Sequence, residues 1–138
     1  MQAATEEWAT RGSHAAEISN RIVRLLREYT GRGPTRARTT IDRDSVFVVL
    51  GETQTKAERT LVDRGQAESV LETRHRFQEA MRDDLIEAVE TVMERKVIAF
   101  MGANHAYPDV AAEVFVLEPS SEFEVPRKGK ATAPEKPD

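Results

Sequence analysis

The chain has 138 residues, of which 39% are hydrophobic and 32% charged, a composition typical of one globular domain with a heavily charged surface. It contains no cysteine, which excludes disulfides, thiol catalysis and thiolate-bound zinc or iron–sulfur clusters. The net charge of −4 argues against a nucleic-acid binder. No apolar run approaches the roughly 20 residues that span a bilayer, so direct membrane insertion is not expected.

The first half of the chain predicts a helix followed by a hairpin. Residues 1–12 form a polar lead that we expect to be flexible. From the candidate N-cap Ser13, apolar residues recur at helical spacing as far as Gly31, which suits a helix end. Residues 35–41 alternate as a strand does, and the apolar run at residues 46–50 predicts a central buried strand.

The second half predicts two helices and a second hairpin. Thr55 and Glu58 have the spacing of a capping box, which begins a short helix that stops at Gly65. A long helix follows and continues to about Arg95. The remaining elements are a strand at residues 97–101, a loop at residues 102–110 and a strand at residues 112–118.

The element order α-β-β-α-α-β-β favours an α+β fold, a two-layer sandwich with a four-stranded, mostly antiparallel sheet and helices on one face. Two of the strands are apolar on both faces, so the uncovered face is expected to need a partner, and we predict a homodimer. A helix on each face would serve equally well. The domain is assigned to residues 13–119, and the proline-rich, charged residues 120–138 are expected to be a disordered tail.

A run of arginines provides the first candidate binding site. Arg36 and Arg38 should project from the same strand face together with Thr40, so their guanidinium groups could hold one anion. Arg32 lies just before them in the same run. The alternative is that these arginines form ion pairs with the acidic long helix of the same or a neighbouring subunit.

Lys56 and Arg59 lie at the start of the short helix, where an anion is physically possible. A capped helix with solvent-facing basic side chains explains them equally well.

Asn104, His105 and Asp109 share the predicted loop between the last two strands. A histidine and a carboxylate four residues apart can ligate a divalent ion, but a closed site needs more ligands. A polar turn explains these residues more simply, so no metal site is predicted and the loop is taken as a contact surface.

The sequence does not predict an enzyme. It has no G-x-S-x-G nucleophile elbow, and none of its serines has a candidate base beside it in sequence. No cofactor is expected.

Three blocks of residues resemble the MpsC domain family. They are residues 31–41, residues 55–61, and residues 96–101 continuing through Asn104, His105, Pro108 and Asp109 to residues 113–118. The resemblance covers about residues 14–119. It implies a soluble accessory or regulatory protein beside a bacterial membrane system that generates membrane potential by sodium translocation, whose membrane subunits resemble inorganic-carbon transporters. The implied location is cytoplasmic, including the inner face of the membrane, and the family implies no known catalytic residues.

Two functions therefore remain open at this point. One is a non-catalytic accessory protein that binds membrane transport subunits. The other is a domain that binds a small anion or a nucleotide through the Arg36/Arg38 face.

Overall fold

A computed structural model describes residues 2–119, with side chains described from Thr10 onward. It has three helices and four strands in the predicted order, and their boundaries are α1 Gln2–Thr30, β1 Arg36–Asp42, β2 Ser45–Gly51, α2 Lys56–Asp63, α3 Ala67–Met93, β3 Val97–His105 and β4 Val110–Leu117. Met1 and residues 120–138 lie outside the described part, and with them the predicted tail.

Helix α1 begins at Gln2, so the predicted start at Ser13 is wrong. Ser13 lies inside the helix, and the residues expected to form a polar lead belong to its N-terminal part from Gln2 on. The predicted C-terminal end is correct to one residue. Gly31 adopts φ +81° and donates its N–H to Arg27 O at 2.9 Å, which ends the helix in the left-handed conformation that glycine favours.

The four strands form one antiparallel sheet in the order β1-β2-β4-β3. β3 is longer than predicted: residues 102–105, expected in a loop, continue the strand as far as the pair His105↔Val110. The turn between the two strands is therefore confined to residues 106–109, and the peptide bond between Tyr107 and Pro108 is cis.

Helices α1 and α3 cover one face of the sheet, which confirms the predicted two-layer α+β architecture. Ile18 and Ile22 of α1 and Leu85 and Val89 of α3 are completely buried against it. The strand residues in the same core are Val46, Val48, Leu50, Phe100, Ala111, Phe115 and Leu117. This period-2 burial fixes which strand residues face the helices and which face away.

The opposite face of the sheet, called the open face below, is apolar and uncovered within residues 2–119. Phe47 and Val49 of β2 are 49% and 42% exposed, and Ile98 and Met101 of β3 are 60% and 53% exposed. β2 is central as predicted, but its burial alternates along the strand, so the expected burial on both faces does not occur in the single chain.

Candidate functional site

Arg74 of α3 connects several elements of the fold at one end of the molecule. Its Nε donates to Glu58 Oε2 at 3.1 Å, and its two terminal nitrogens donate to Glu58 Oε1, Thr53 O, Thr53 Oγ1 and Asn104 Oδ1 at 2.7 to 3.2 Å. A guanidinium has five N–H donors, so all of them are used. Arg74 therefore joins α3 to the β2–α2 connection, to α2 and to β3, and has no donor left for a ligand.

Glu58 also completes the capping box predicted at the start of α2. Its backbone N–H donates to Thr55 Oγ1 at 3.1 Å, and its carboxylate accepts the Thr55 N–H at 2.8 Å. Burial by itself would raise the pKa of Glu58. The hydrogen bonds from Arg74 and from the Thr55 backbone, together with the Arg74 charge, outweigh burial and hold this pKa below its ordinary value.

Asp109 ties the turn between β3 and β4 to the same connection. Its carboxylate accepts from Thr53 Oγ1 and from the Gln54 N–H, both at 2.9 Å, and Gln54 Nε2 donates to Ala106 O at 2.8 Å. His105 Nδ1 lies 2.9 Å from Pro108 O. Asp109 and His105 therefore make hydrogen bonds that hold the turn. Among residues 10–119, whose side chains are described, no three histidine, aspartate or glutamate side chains are grouped so that they could hold a metal ion.

Asn104 and His105, which the sequence places side by side, point in opposite directions because they are consecutive residues of a strand. Asn104 faces the helices and accepts from Arg74, whereas His105 is exposed. They do not form one contact surface.

A groove of about 720 Å³ crosses this end of the molecule and is called the end groove. Arg36 and Arg59 lie along it, each 3.9 Å from a carboxylate, Glu52 and Asp109 respectively. With Asp63 also in the lining, two arginines meet three acids, so the groove does not favour an anion. Its outermost side chain is Tyr107, which is 84% exposed.

Beside the end groove, a shallower hollow of about 390 Å³ lies at the start of α2 and is called the α2 hollow. Three of the predicted site residues, Arg32, Lys56 and Arg59, line it against one acid, Asp63. It is therefore the more cationic of the two depressions.

Arg36, Arg38 and Thr40 share one face of β1, as predicted, and that face belongs to the open face of the sheet. Their partners across the β1–β2 pair are Gly51, Val49 and Phe47. Arg36 also reaches the end groove, whereas Arg38 lies beside the apolar surface of β2 and is not in the groove lining.

A small, partly open cavity of about 30 Å³ lies between the helices and the sheet, next to the cluster that Arg74 forms with Glu58, Thr53 and Asn104, called the Arg74 cluster. Its apolar lining includes Leu26, Leu50, Phe77, Met81 and Ala111, and its polar lining includes Arg32, Arg74, Gln78, Asn104 and Glu113.

Glu113 is the most unusual residue of this cavity. It lies on the helix-facing side of the central strand β4 and is 5% exposed, and its Oε1 has no hydrogen-bond partner among the side chains that the structure describes, those of residues 10–119. Burial raises the pKa of Glu113 to about 8, so the carboxyl group is protonated at neutral pH.

Gly102 lies directly opposite Glu113 on β3. A Cβ at this position would overlap Glu113 Oε1 and would lie 2.8 Å from the amide of Gln78, which is itself 7% exposed. The carboxyl and amide groups thus fill the space that the glycine leaves, and any larger residue would force them to shift.

Sequence reasoning did not single out Arg74, Gln78 or Glu113, although each carries a signal. Glu113 shares the strand parity of Phe115 and Leu117, which places it in the core. Arg74 and Gln78 continue the helical spacing from Val70 to Met81, so they interrupt the apolar stripe of α3 with polar side chains.

None of the helices within residues 2–119 is long and apolar enough to cross a membrane. Comparison with curated proteins and with solved structures found no match. A family model described as "Na+-translocating membrane potential-generating system (MpsC)" matches residues 10–119, which include both hairpins, the Arg74 cluster and the cavity. The chain therefore belongs to the MpsC family.

Proposed function

We propose that this chain is a non-catalytic accessory or regulatory protein of a membrane system that uses sodium or membrane potential, or that transports inorganic carbon. The family description supports the connection with sodium and membrane potential. The proposed location is the cytoplasm, at the inner face of the membrane. The observation that supports an interaction role is that the open face of the sheet exposes large apolar side chains.

The open face is suited to pairing two copies of the chain. Phe47, Val49, Ile98 and Met101 are 42% to 60% exposed and together leave an apolar area on the order of a few hundred Å² in water. A patch of this size is comparable to the largest one on a typical monomer, and such patches are often functional. Two such faces, with the smaller side chains beside them, approach the roughly 1,000 Å² that a specific interface buries.

The charge distribution of the open face is compatible with such a homodimer. Its arginines, Arg36 and Arg38, lie on the edge strand β1, and the opposite edge strand β3 presents Met101 and Ala103. A two-fold axis parallel to the strands would place β1 of one copy over β3 of its partner, so the arginines would not face each other.

The end groove remains available in this dimer for a membrane subunit. Tyr107 projects from a turn that the Asp109 hydrogen bonds hold in place, and exposed tyrosines and arginines are the residues that most often anchor protein interfaces. Arg59 flanks it with a loosely paired charge, whereas Arg36 belongs to the open face that the dimer would cover.

The test combines oligomeric state with co-purification from native membranes. Val49→Arg places a charge in the centre of the open face and is expected to convert the dimer to a monomer in light-scattering measurements. Leu61→Arg is the matched control, because Leu61 of α2 is 43% exposed and Val49 is 42% exposed. Tyr107→Ala should leave the dimer intact but remove a membrane transport subunit from the eluate, as identified by mass spectrometry.

A wild-type protein that is monomeric throughout, or a dimer that Val49→Arg leaves intact, would contradict the proposed pairing. Recovery of the same membrane subunits with Tyr107→Ala as with the wild type would contradict the proposed docking site.

A second function, binding of a small anion, is favoured by the α2 hollow rather than by the Arg36/Arg38 face. The hollow brings three cationic side chains around one concave surface, whereas Arg36 and Arg38 lie on an open sheet. Phosphate is then expected to raise the thermal stability in proportion to RT ln(1 + [L]/Kd), and Lys56→Ala should remove the increase. Arg76→Ala on the exposed side of α3 is the control, and equal stabilisation of both variants would rule the hollow out.

A further inference from the structure

The cavity between the helices and the sheet carries two buried polar atoms that have no partner among residues 10–119, whose side chains are described. One is Glu113 Oε1 and the other is Arg32 Nε. Both residues line the same cavity, which is on the opposite side of the sheet from the open face. Buried polar groups are nearly always hydrogen-bonded, so two unpartnered atoms around one cavity indicate an occupant.

The charges around the cavity indicate the sign of the charge that the occupant would carry. The charged and titratable groups that face Glu113 across it are Arg32 from the α1–β1 connection, Glu58 from α2 and Arg74 from α3. Arg74 and Glu58 neutralise each other at 2.8 Å. Arg32 also lines the α2 hollow and donates from Nη2 to Glu52 O at 3.1 Å, so only its Nε side is turned away from solvent. With Glu113 in its neutral form, the Arg32 guanidinium adds one positive charge to the cavity wall, which a monoanion would balance.

The hydrogen-bond donors and the apolar walls of the cavity indicate the chemical class of the occupant. Arg32 Nε–H is a donor, and a protonated carboxyl group at Glu113 is a second donor. The walls next to them are apolar, with Leu26, Leu50 and Met81. A carboxylate group with a very short apolar body fits donors on one side and hydrocarbon on the other.

The volume limits its size. A cavity of about 30 Å³ holds roughly two water molecules, and therefore a ligand of only a few non-hydrogen atoms. The lining includes Phe77, which is 38% exposed, so entry is expected on that side.

We propose that this cavity is a binding site for a small monocarboxylate of the size of formate or acetate, held between Arg32 and Glu113. The site is independent of the docking surfaces proposed above. Glu113 and Arg32 are its binding residues, and Gly102 leaves the space in which the Glu113 carboxyl group lies.

Formate binding at this cavity should depend on pH. A carboxylate ligand and an ionised Glu113 repel each other, so binding requires the protonated side chain. The dissociation constant of formate is expected to be constant below the Glu113 pKa and to rise by up to about tenfold per pH unit above it. Glu113→Gln keeps a neutral donor at this position, so it should bind with little pH dependence.

The experiment is a calorimetric titration of the full chain with sodium formate and sodium acetate, at about pH 6.5 and about pH 9.5, against a sodium chloride background. We expect saturable binding at the lower pH and its loss at the higher one in the wild type. Glu113→Gln should bind at both values, and Arg32→Ala should bind at least about tenfold more weakly. Lys56→Ala distinguishes this cavity from the α2 hollow. Lys56 lines the hollow but not the cavity, so its substitution should leave formate binding unchanged.

Four results would overturn the proposal. They are the absence of saturable binding at the lower pH, which would leave water as the occupant, equal competition by chloride, unchanged affinity in Arg32→Ala, and the same pH dependence in Glu113→Gln as in the wild type.

Discussion

Arg74→Ala is expected to lower the free energy of unfolding by about 3–5 kcal/mol, because it removes one member of a nearly buried ion pair and leaves the other uncompensated. The side chains of Arg74 and Glu58 are 14% and 19% exposed. The substitution also leaves Thr53 O and Asn104 Oδ1 without their donor. Since small domains are stable by about 5–15 kcal/mol, a large part of the stability would be lost. Urea unfolding of the wild type and of Arg74→Ala measures this loss of unfolding free energy directly.

The matched control is Arg76→Ala, two residues along the same helix. Arg76 is 77% exposed and pairs with Glu72 across one helical turn, so its removal should change the stability by less than about 0.5 kcal/mol. Arg74→Lys should restore only part of the loss, because an ammonium group cannot reach five acceptors in a plane. Similar unfolding curves for Arg74→Ala and Arg76→Ala would show that the cluster does not stabilise the fold.

The Arg74 effect should also depend on pH with a definite sign. The native pKa of Glu58 lies below its unfolded value of about 4.3, so the pair stabilises the protein above that pH and loses its contribution as the pH falls through the native pKa. The difference in stability between the wild type and Arg74→Ala should therefore shrink in acid.

Glu113→Gln is expected to stabilise the protein increasingly as the pH rises. The native pKa of Glu113 is about 8, whereas its unfolded pKa is about 4.3. Between these values the unfolded chain has released a proton that the native chain still holds, so wild-type stability falls by about 1.4 kcal/mol per pH unit on account of this group. Its contribution is complete below about pH 4.3 and is lost as the pH rises to about 8. The neutral amide that replaces the carboxyl group in the variant has no such dependence.

The unfolding free energies of the wild type and of Glu113→Gln are to be measured at several pH values in this window, because the difference between the two proteins reports the contribution of residue 113. Glu79→Gln on the exposed side of α3 is the control, and its profile should run parallel to that of the wild type. A parallel profile for Glu113→Gln as well would mean that the carboxyl group is ionised in the native protein.

The element order and the sheet could be predicted because the strands and helices carry clear apolar periods. The start of α1 could not be predicted, because residues 2–12 have few apolar side chains and therefore show no helical period of apolar residues. The length of β3 was missed because Gly102 and Asn104 are typical turn residues. Gly102 is required here by a side chain from the neighbouring strand, which local sequence does not reveal.

The candidate sites were predictable to a smaller extent. Residues that alternate on one strand, such as Arg36 and Arg38, were placed correctly on one face because strand period is a local property. Arg32 and Lys56 meet in the α2 hollow because of the way α2 packs on the rest of the fold. This packing depends on contacts between residues that are distant in sequence. Glu113 could have been found by parity alone, but a charged residue is ordinarily taken as exposed.

The position of β4 between β2 and β3 has a consequence for how the chain acquires its structure. β4 is the last of the four described strands in sequence, yet it is central, so β2 is an unprotected edge until residues 110–117 are available. The N-terminal hairpin therefore cannot join the C-terminal one during synthesis before residues 110–117 have been made. Chains interrupted ahead of Val110 would expose the apolar strand β2 along its free edge and are expected to aggregate.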